Sequence, residues 1–201
     1  MPKLLLLRHL KSQWNKENRF SGWTDIPLSD EGKKSAKEIA KKLRSFKIDK
    51  VCTSPLRRNQ DTVDLVLKNL HKETLPVIVD KALNERHYGK LQGMNKEEAK
   101  KKYGKDQVRL WRRGWDEALP GGESLKDVAK RLNPFYEKYI KPELKKQKNV
   151  LVVASHNSLR ALIKRIEKIS DSDIINVEMG FGELRVYELD QKLNLKNKKI
   201  I

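Results

Sequence analysis

The chain has 201 residues, 37% hydrophobic and 36% charged, and 45 Lys and Arg against 27 Asp and Glu leave a formal charge of +18. That apolar content supports one sizeable core, which argues against disorder, and the length suits one large domain or two small ones. The lone cysteine, Cys52, excludes an internal disulfide framework and any zinc site of paired cysteines, and no apolar run approaches the roughly 18 residues of a membrane span.

The charge would attract nucleic acid, an anionic membrane or phosphorylated metabolites, and its size does not choose among them. Much of it is Lys in helical stretches (Lys33, Lys34, Lys37, Lys41, Lys42 and Lys100 to Lys102), which reads as a solvated face. Leu4 to Leu7, closed by Arg8, is shorter than a signal-peptide core of about 7 to 15 residues. A soluble, reducing, cytoplasmic setting is the expectation, with Cys52 a buried, inert thiol.

Four short apolar runs read as buried strands in chain order: Leu4 to Leu7, Val51 to Thr53, Val77 to Val79 and Val150 to Ala154, with a later candidate at Glu183 to Leu189. Helical patterns with start signals fall between them. Ser29 precedes Asp30 to Phe46, Ser54 with Pro55 precedes Leu56 to Leu70, and Asn95, with Glu98 three residues on, precedes Lys96 to Tyr103. Ser124 opens Leu125 to Ile140, and a further helix follows His156. This alternation predicts an α/β fold: a single three-layer domain over residues 1–190, its central sheet mostly parallel with helices on both faces. Residues 191–201 form a basic C-terminal tail, expected to be frayed or peripheral.

In open α/β sheets, ligands bind beyond the carboxyl ends of the strands. Strand one delivers Arg8 and His9 there, and the Val150 to Ala154 strand delivers Ser155, His156 and Asn157. The Val51 to Thr53 strand runs into Ser54-Pro55-Leu56-Arg57-Arg58, a helix start that itself favours anions. If these strands are neighbours, two imidazoles and several guanidiniums converge, a set suited to a phosphoryl group. Each residue also has a plainer reading: a lone histidine as a hydrogen-bonded structural group, Glu85 as a surface partner of Arg86 or Lys90, and Trp111-Arg112-Arg113 as a helix with Trp111 in the core. No P-loop, metal-ligand spacing or Gly-x-Ser-x-Gly elbow is present, which leaves metal-free phosphoryl transfer through histidine.

Leu7-Arg8-His9 followed by Ser12-Gln13-Trp14-Asn15 resembles the histidine phosphatase superfamily. Further segments are similar to its cofactor-dependent phosphoglycerate mutases: Asn18 to Trp23, Asn84 to Gly89 with Leu91-Gln92-Gly93, Trp111-Arg112-Arg113, Pro120 to Leu125, and Asn157 to Leu162. They stand in family order from residue 4 to about residue 190. The resemblance implies a cytoplasmic enzyme that interconverts 3-phosphoglycerate and 2-phosphoglycerate through a phosphohistidine, primed by 2,3-bisphosphoglycerate and without a metal. It implies His9 as nucleophile and Glu85 as general acid/base. Arg8, Asn15, Arg58 and His156 would hold the transferring group, with Ser21, Gly22 and Asn157 lining the same pocket. Arg86, Tyr88, Lys96, Arg112 and Arg113 would grip the rest of the substrate. Its ligands would be small phosphorylated three-carbon acids, with neither nucleic acid nor membrane as partner, and a homodimer or homotetramer is in keeping with the family. The rivals are a phosphomonoesterase of the same superfamily and, further off, a basic nucleic-acid-binding module.

The chemistry suits these roles. A nucleophilic histidine must be neutral, and Arg8 and Arg58 beside it disfavour a second positive charge. Planar paired donors on arginine balance the equatorial oxygens. Two departures fall beside the pocket, Leu10 and Lys11 where the family has Gly and Glu and a glycine missing after His156, and a late Thr-Gly-x-Pro element around Phe181-Gly182-Glu183, which bears on cofactor priming, is altered as well. One expectation is compensation, with the His156 turn drawing back to make room for Leu10 while Lys11 adds charge near the phosphate. The other is a degraded pocket, giving a slow enzyme or a phosphatase.

Overall fold

Leu4 to Leu7 and Val150 to Ala154 are apolar at every position because their strands are covered on both faces. The computed structural model describes all 201 residues. Its strands are β1 (Lys3–Arg8), β2 (Lys50–Thr53), β3 (Val77–Val79), β4 (Val150–Ala154), β5 (Leu184–Leu189) and β6 (Leu195–Ile200), in the sheet order β3-β2-β4-β1-β5-β6. The first four run parallel, while β5 is antiparallel to both β1 and β6.

The helices are α1 (Gln13–Lys16), α2 (Asp30–Leu43), α3 (Arg57–Leu70), α4 (Lys96–Tyr103), α5 (Lys105–Arg113), α6 (Leu125–Phe135), α7 (Lys141–Lys145) and α8 (His156–Glu167). They make the outer layers. On one face Ala36, Ile39 and Leu43 of α2 and Val63, Val66 and Leu67 of α3 pack on Leu5, Leu7, Leu151 and Val153. On the other, α6 and α8 bury Leu125, Val128, Leu132, Leu159 and Leu162 against Leu4, Leu6, Val150 and Val152. Period-two alternation of β1 and β4 between these cores is what holds the sheet in the middle. A third, smaller core of Phe20, Leu91, Ala99, Val108 and Leu119 joins α4 and α5 into a cap. No helix is long and apolar enough to cross a membrane.

Several expectations are corrected. Ser29, Asn95 and Ser124 do cap their helices, Ser124 in a reciprocal box with Asp127. Ser54 does not: α3 begins after Leu56, and the Ser54 hydroxyl takes the Leu56 N–H and the Asn59 amide instead. The α6 pattern is broken just after Pro134, whose missing N–H interrupts the ladder, and Tyr136–Ile140 widens into a π turn. β3 is an edge strand, with Val77 39% and Val79 47% exposed, not a buried one. The segment expected to fray is ordered as β6, because the outer edge of β5 offers it a ladder. Cys52 is buried as expected, and burial pushes its thiol up to about 12, which leaves it inert.

Candidate active site

Register decides what meets at the carboxyl edge. Arg8 stands opposite Ala154, and Thr53 opposite Val153, so β2, β4 and β1 all end at the same level. The residues that follow them, Ser54 to Arg58, Ser155-His156 and His9, therefore share one crevice. The His9 backbone N–H donates to the Ala154 carbonyl at 3.1 Å. Its ring Nδ1 lies 2.7 Å from the Leu10 carbonyl, which can only accept, so Nδ1 carries the proton and Nε2 keeps its lone pair. Burial, then Arg58 and Arg8, holds the His9 pKa well below the usual histidine value. The ring is a neutral, oriented nucleophile.

Arg8 and Arg58 are fixed by carbonyls. Arg58, buried, donates to the oxygens of Gly22 (2.7 Å) and Thr24 (3.0 Å), and Arg8 donates to that of Met179 at 2.5 Å. Gly22 presents its carbonyl from a backbone with φ of +53°, a conformation open chiefly to glycine. Asn15 uses Oδ1 to bind the N–H and hydroxyl of Ser12, which leaves its amide nitrogen for the pocket. Glu85 is buried, and its Oε1 accepts the N–H groups of Arg86 (2.7 Å) and Asn157 (3.1 Å), leaving Oε2 for the pocket. His156 opens α8, and burial followed by Arg8 and Arg113 holds it neutral as well.

The resulting cavity is about 210 Å³, below the roughly 300 to 1,000 Å³ of sites for drug-sized ligands. Of the residues expected in the site, His9, Glu85, Arg8, Arg58, His156, Asn15, Ser21, Gly22, Tyr88, Lys96, Arg112 and Arg113 all line it. Two do not. Asn157 is fully buried behind the wall, its amide donating to the Tyr88 hydroxyl and its oxygen accepting from Arg160, so it positions neighbours. Arg86 is fully buried with its guanidinium 5.2 Å from the Tyr88 ring. Lys96 faces so many cations in so buried a place that its pKa is pushed down to about 8, by burial first and then by Arg112, Arg8 and Arg113. No cluster of three or more His, Cys, Asp or Glu side chains is arranged to hold a metal ion.

Four lining residues were not anticipated: Arg19, Phe20, Glu178 and Phe181. Arg19 lies inside the Asn18 to Trp23 segment and carried its own signal. Glu178 and Phe181 come from the connection before β5. The Phe181 ring covers the Arg8 guanidinium at 3.8 Å and lies 6.0 Å from the His9 ring. Glu178 binds Arg113 at 2.5 Å and His156 at 3.2 Å.

The departures beside the nucleophile resolve differently from expectation. Leu10 does not line the pocket; it is buried in the α2-side core, with Gly182, at φ of +66°, packed against it and Ile39. A Cβ at Gly182 would press on Ile39 at 3.1 Å and stand at ordinary contact, 3.4 Å, from Leu10, and the positive φ itself favours glycine there. Lys11 turns outward to Glu31 at 2.9 Å and adds no charge to the pocket.

Comparison with known proteins follows the same lines. The chain is 45% identical to a 2,3-bisphosphoglycerate-dependent phosphoglycerate mutase of Cytophaga hutchinsonii, over 98% of this chain and 92% of that one. It is 44% identical to a phosphoglycerate mutase of Schizosaccharomyces pombe, over 100% and 96%. Among solved structures, a mycobacterial glucosyl-3-phosphoglycerate phosphatase complexed with VO3 superposes with a TM-score of 0.86 at 26% identity, covering 98% and 96% of the two chains. An alpha-ribazole phosphatase of Shigella flexneri gives 0.80 at 26% identity, over 96% and 94%. The model of the histidine phosphatase superfamily, branch 1, matches residues 4–196. With that match over nearly its whole length, and with paired histidines and arginines at its strand exits, the chain belongs to the histidine phosphatase superfamily.

Proposed function

We propose that this chain is a 2,3-bisphosphoglycerate-dependent phosphoglycerate mutase, interconverting 3-phosphoglycerate and 2-phosphoglycerate through a phosphohistidine on His9, a reaction of glycolysis and gluconeogenesis in the cytoplasm. The reading is carried by one observation: a neutral imidazole with a free Nε2 faces a crevice that it shares with Glu85, His156 and six cationic side chains. The near full-length similarity to mutases supports it.

In this reading Arg8, Arg58, His156 and Asn15, with Ser21 and Gly22, hold the transferring phosphoryl group. Lys96, Arg112, Arg113 and Tyr88 hold the distal end of the three-carbon acid, while Arg86 and Asn157 support them from behind. A substrate hydroxyl oxygen attacks the phosphorus, the bond from His9 Nε2 to phosphorus breaks, and the hydroxyl proton passes to Glu85 Oε2. His9 leaves as the neutral ring that its Nδ1 hydrogen bond already defines. The reverse half-reaction returns the proton.

The donor set fits the priming bisphosphoglycerate. Nε of Arg8, Nε of Arg58 and the Ser21 hydroxyl, all on residues that line the pocket, are buried without a protein partner, which suits a polyanion. When bound, that molecule supplies the phosphoryl group carried by His9.

The solved structures similar in fold are phosphatases, which keeps a phosphomonoesterase as the second reading. The two differ in whether water or the bound acid accepts the group. An enolase-coupled assay with and without bisphosphoglycerate separates them: stimulated formation of 2-phosphoglycerate is expected, and release of phosphate alone would overturn the mutase reading. His9→Ala should abolish turnover, and Glu85→Gln should lower kcat by about 10²-fold or more with little change in KM.

A further inference from the structure

An acid inside a site built for anions has to be accounted for. Of the two carboxylates in the pocket, Glu85 is tied to backbone N–H groups, whereas Glu178 takes hold of cationic and donor side chains directly. One of its oxygens lies 2.5 Å from Nε of Arg113 and the other 3.2 Å from Nε2 of His156. Because His156 is held neutral, the second contact is a hydrogen bond from the ring N–H to a carboxylate. Arg113 has no other carboxylate partner, so an anion arriving there shares it with Glu178 or displaces it.

The backbone of this connection is pinned: the Glu178 carbonyl accepts from Arg185 and the Met179 carbonyl from Arg8. The Glu178 side chain is not. It is 56% exposed and can swing toward solvent without moving the chain. A fixed backbone with a free carboxylate bridging two groups of the ligand site is the arrangement of a competitor, not of a strut.

We propose that Glu178 is a specificity-determining internal anion: it competes with ligands for Arg113 and His156, and so lowers affinity most for the most highly charged of them. Resting on the mutase reading of the site, this makes Glu178 the residue that keeps the enzyme from being held by 2,3-bisphosphoglycerate while it still admits the monophosphates. Loss of one negative charge within a few ångströms strengthens binding in proportion to ligand charge.

The test is titration calorimetry of the intact protein with 2,3-bisphosphoglycerate, 3-phosphoglycerate and inorganic phosphate, comparing wild type, Glu178→Gln and Glu178→Asp. In Glu178→Gln the bisphosphate should bind about tenfold tighter, equivalent to about 1.4 kcal/mol, with a smaller gain for 3-phosphoglycerate and the least for phosphate. These gains should shrink as salt is raised, and Glu178→Asp should stay near wild type. Equal or weaker binding of all three ligands by Glu178→Gln overturns the proposal and makes Glu178 a support. The coupled assay on wild type keeps the two readings apart. A mutase whose Glu178→Gln form shows no charge-graded gain loses this proposal alone; a non-mutase that shows the gain loses the assigned reaction and keeps the internal anion.

Discussion

Lys96 is a pocket cation whose charge state changes close to working conditions. With its pKa down at about 8, the free enzyme loses this cation as pH rises past that value, and a trianionic substrate then meets one positive charge fewer. The expected outcome is a fall in kcat/KM above about pH 8 that comes from KM, with Lys96→Met lowering kcat/KM at neutral pH and abolishing the alkaline limb. Leu10 makes a different point. Its place beside the nucleophile suggests a role in the pocket, yet its side chain fills the core under α2. Leu10→Ala should therefore cost about 2–5 kcal/mol in denaturant unfolding, through the cavity left behind, while the activity per folded molecule is largely kept. His9, Arg58 and His156 were legible in the sequence because each follows a short apolar run with a polar exit. Glu178 and Phe181 were not, because no periodicity or motif tells that the connection before β5 folds back over Arg8.

At the level of elements, the four parallel strands were readable from uninterrupted apolar runs, and α2, α4 and α6 from their capping residues. β6 was unreadable. Leu195-Lys196-Asn197-Lys198-Lys199-Ile200 has neither an apolar run nor clean alternation, and it becomes a strand only because β5 presents open N–H and C=O groups to it. Its lysines also suit its position, since charged side chains on an edge discourage pairing with another chain. Removing residues 194–201 should lower Tm by about 5 °C or more and produce concentration-dependent self-association, detectable by light scattering, as β5 is uncovered. β3, exposed on its own edge, was misjudged for the converse reason: three valine-type residues look buried wherever they stand.

On the scale of the whole molecule, the site is divided between two supports of unequal strength. The nucleophile and its flanking cations rest on the sheet, between cores of 22 and 16 buried residues, whereas Arg112 and Arg113 end α5 and Lys96 starts α4, over a core of only 5. The lesser core opens at the lower free-energy cost. Amides of α4 and α5 should accordingly exchange with deuterium well before those of β1 and β4. In mild urea KM should climb by severalfold while most of the far-UV ellipticity, which comes from the other helices, persists. Under such stress the molecule would let go of its substrate's far end first, still owning an intact phosphorylatable ring: partial melting would cost it grip before chemistry.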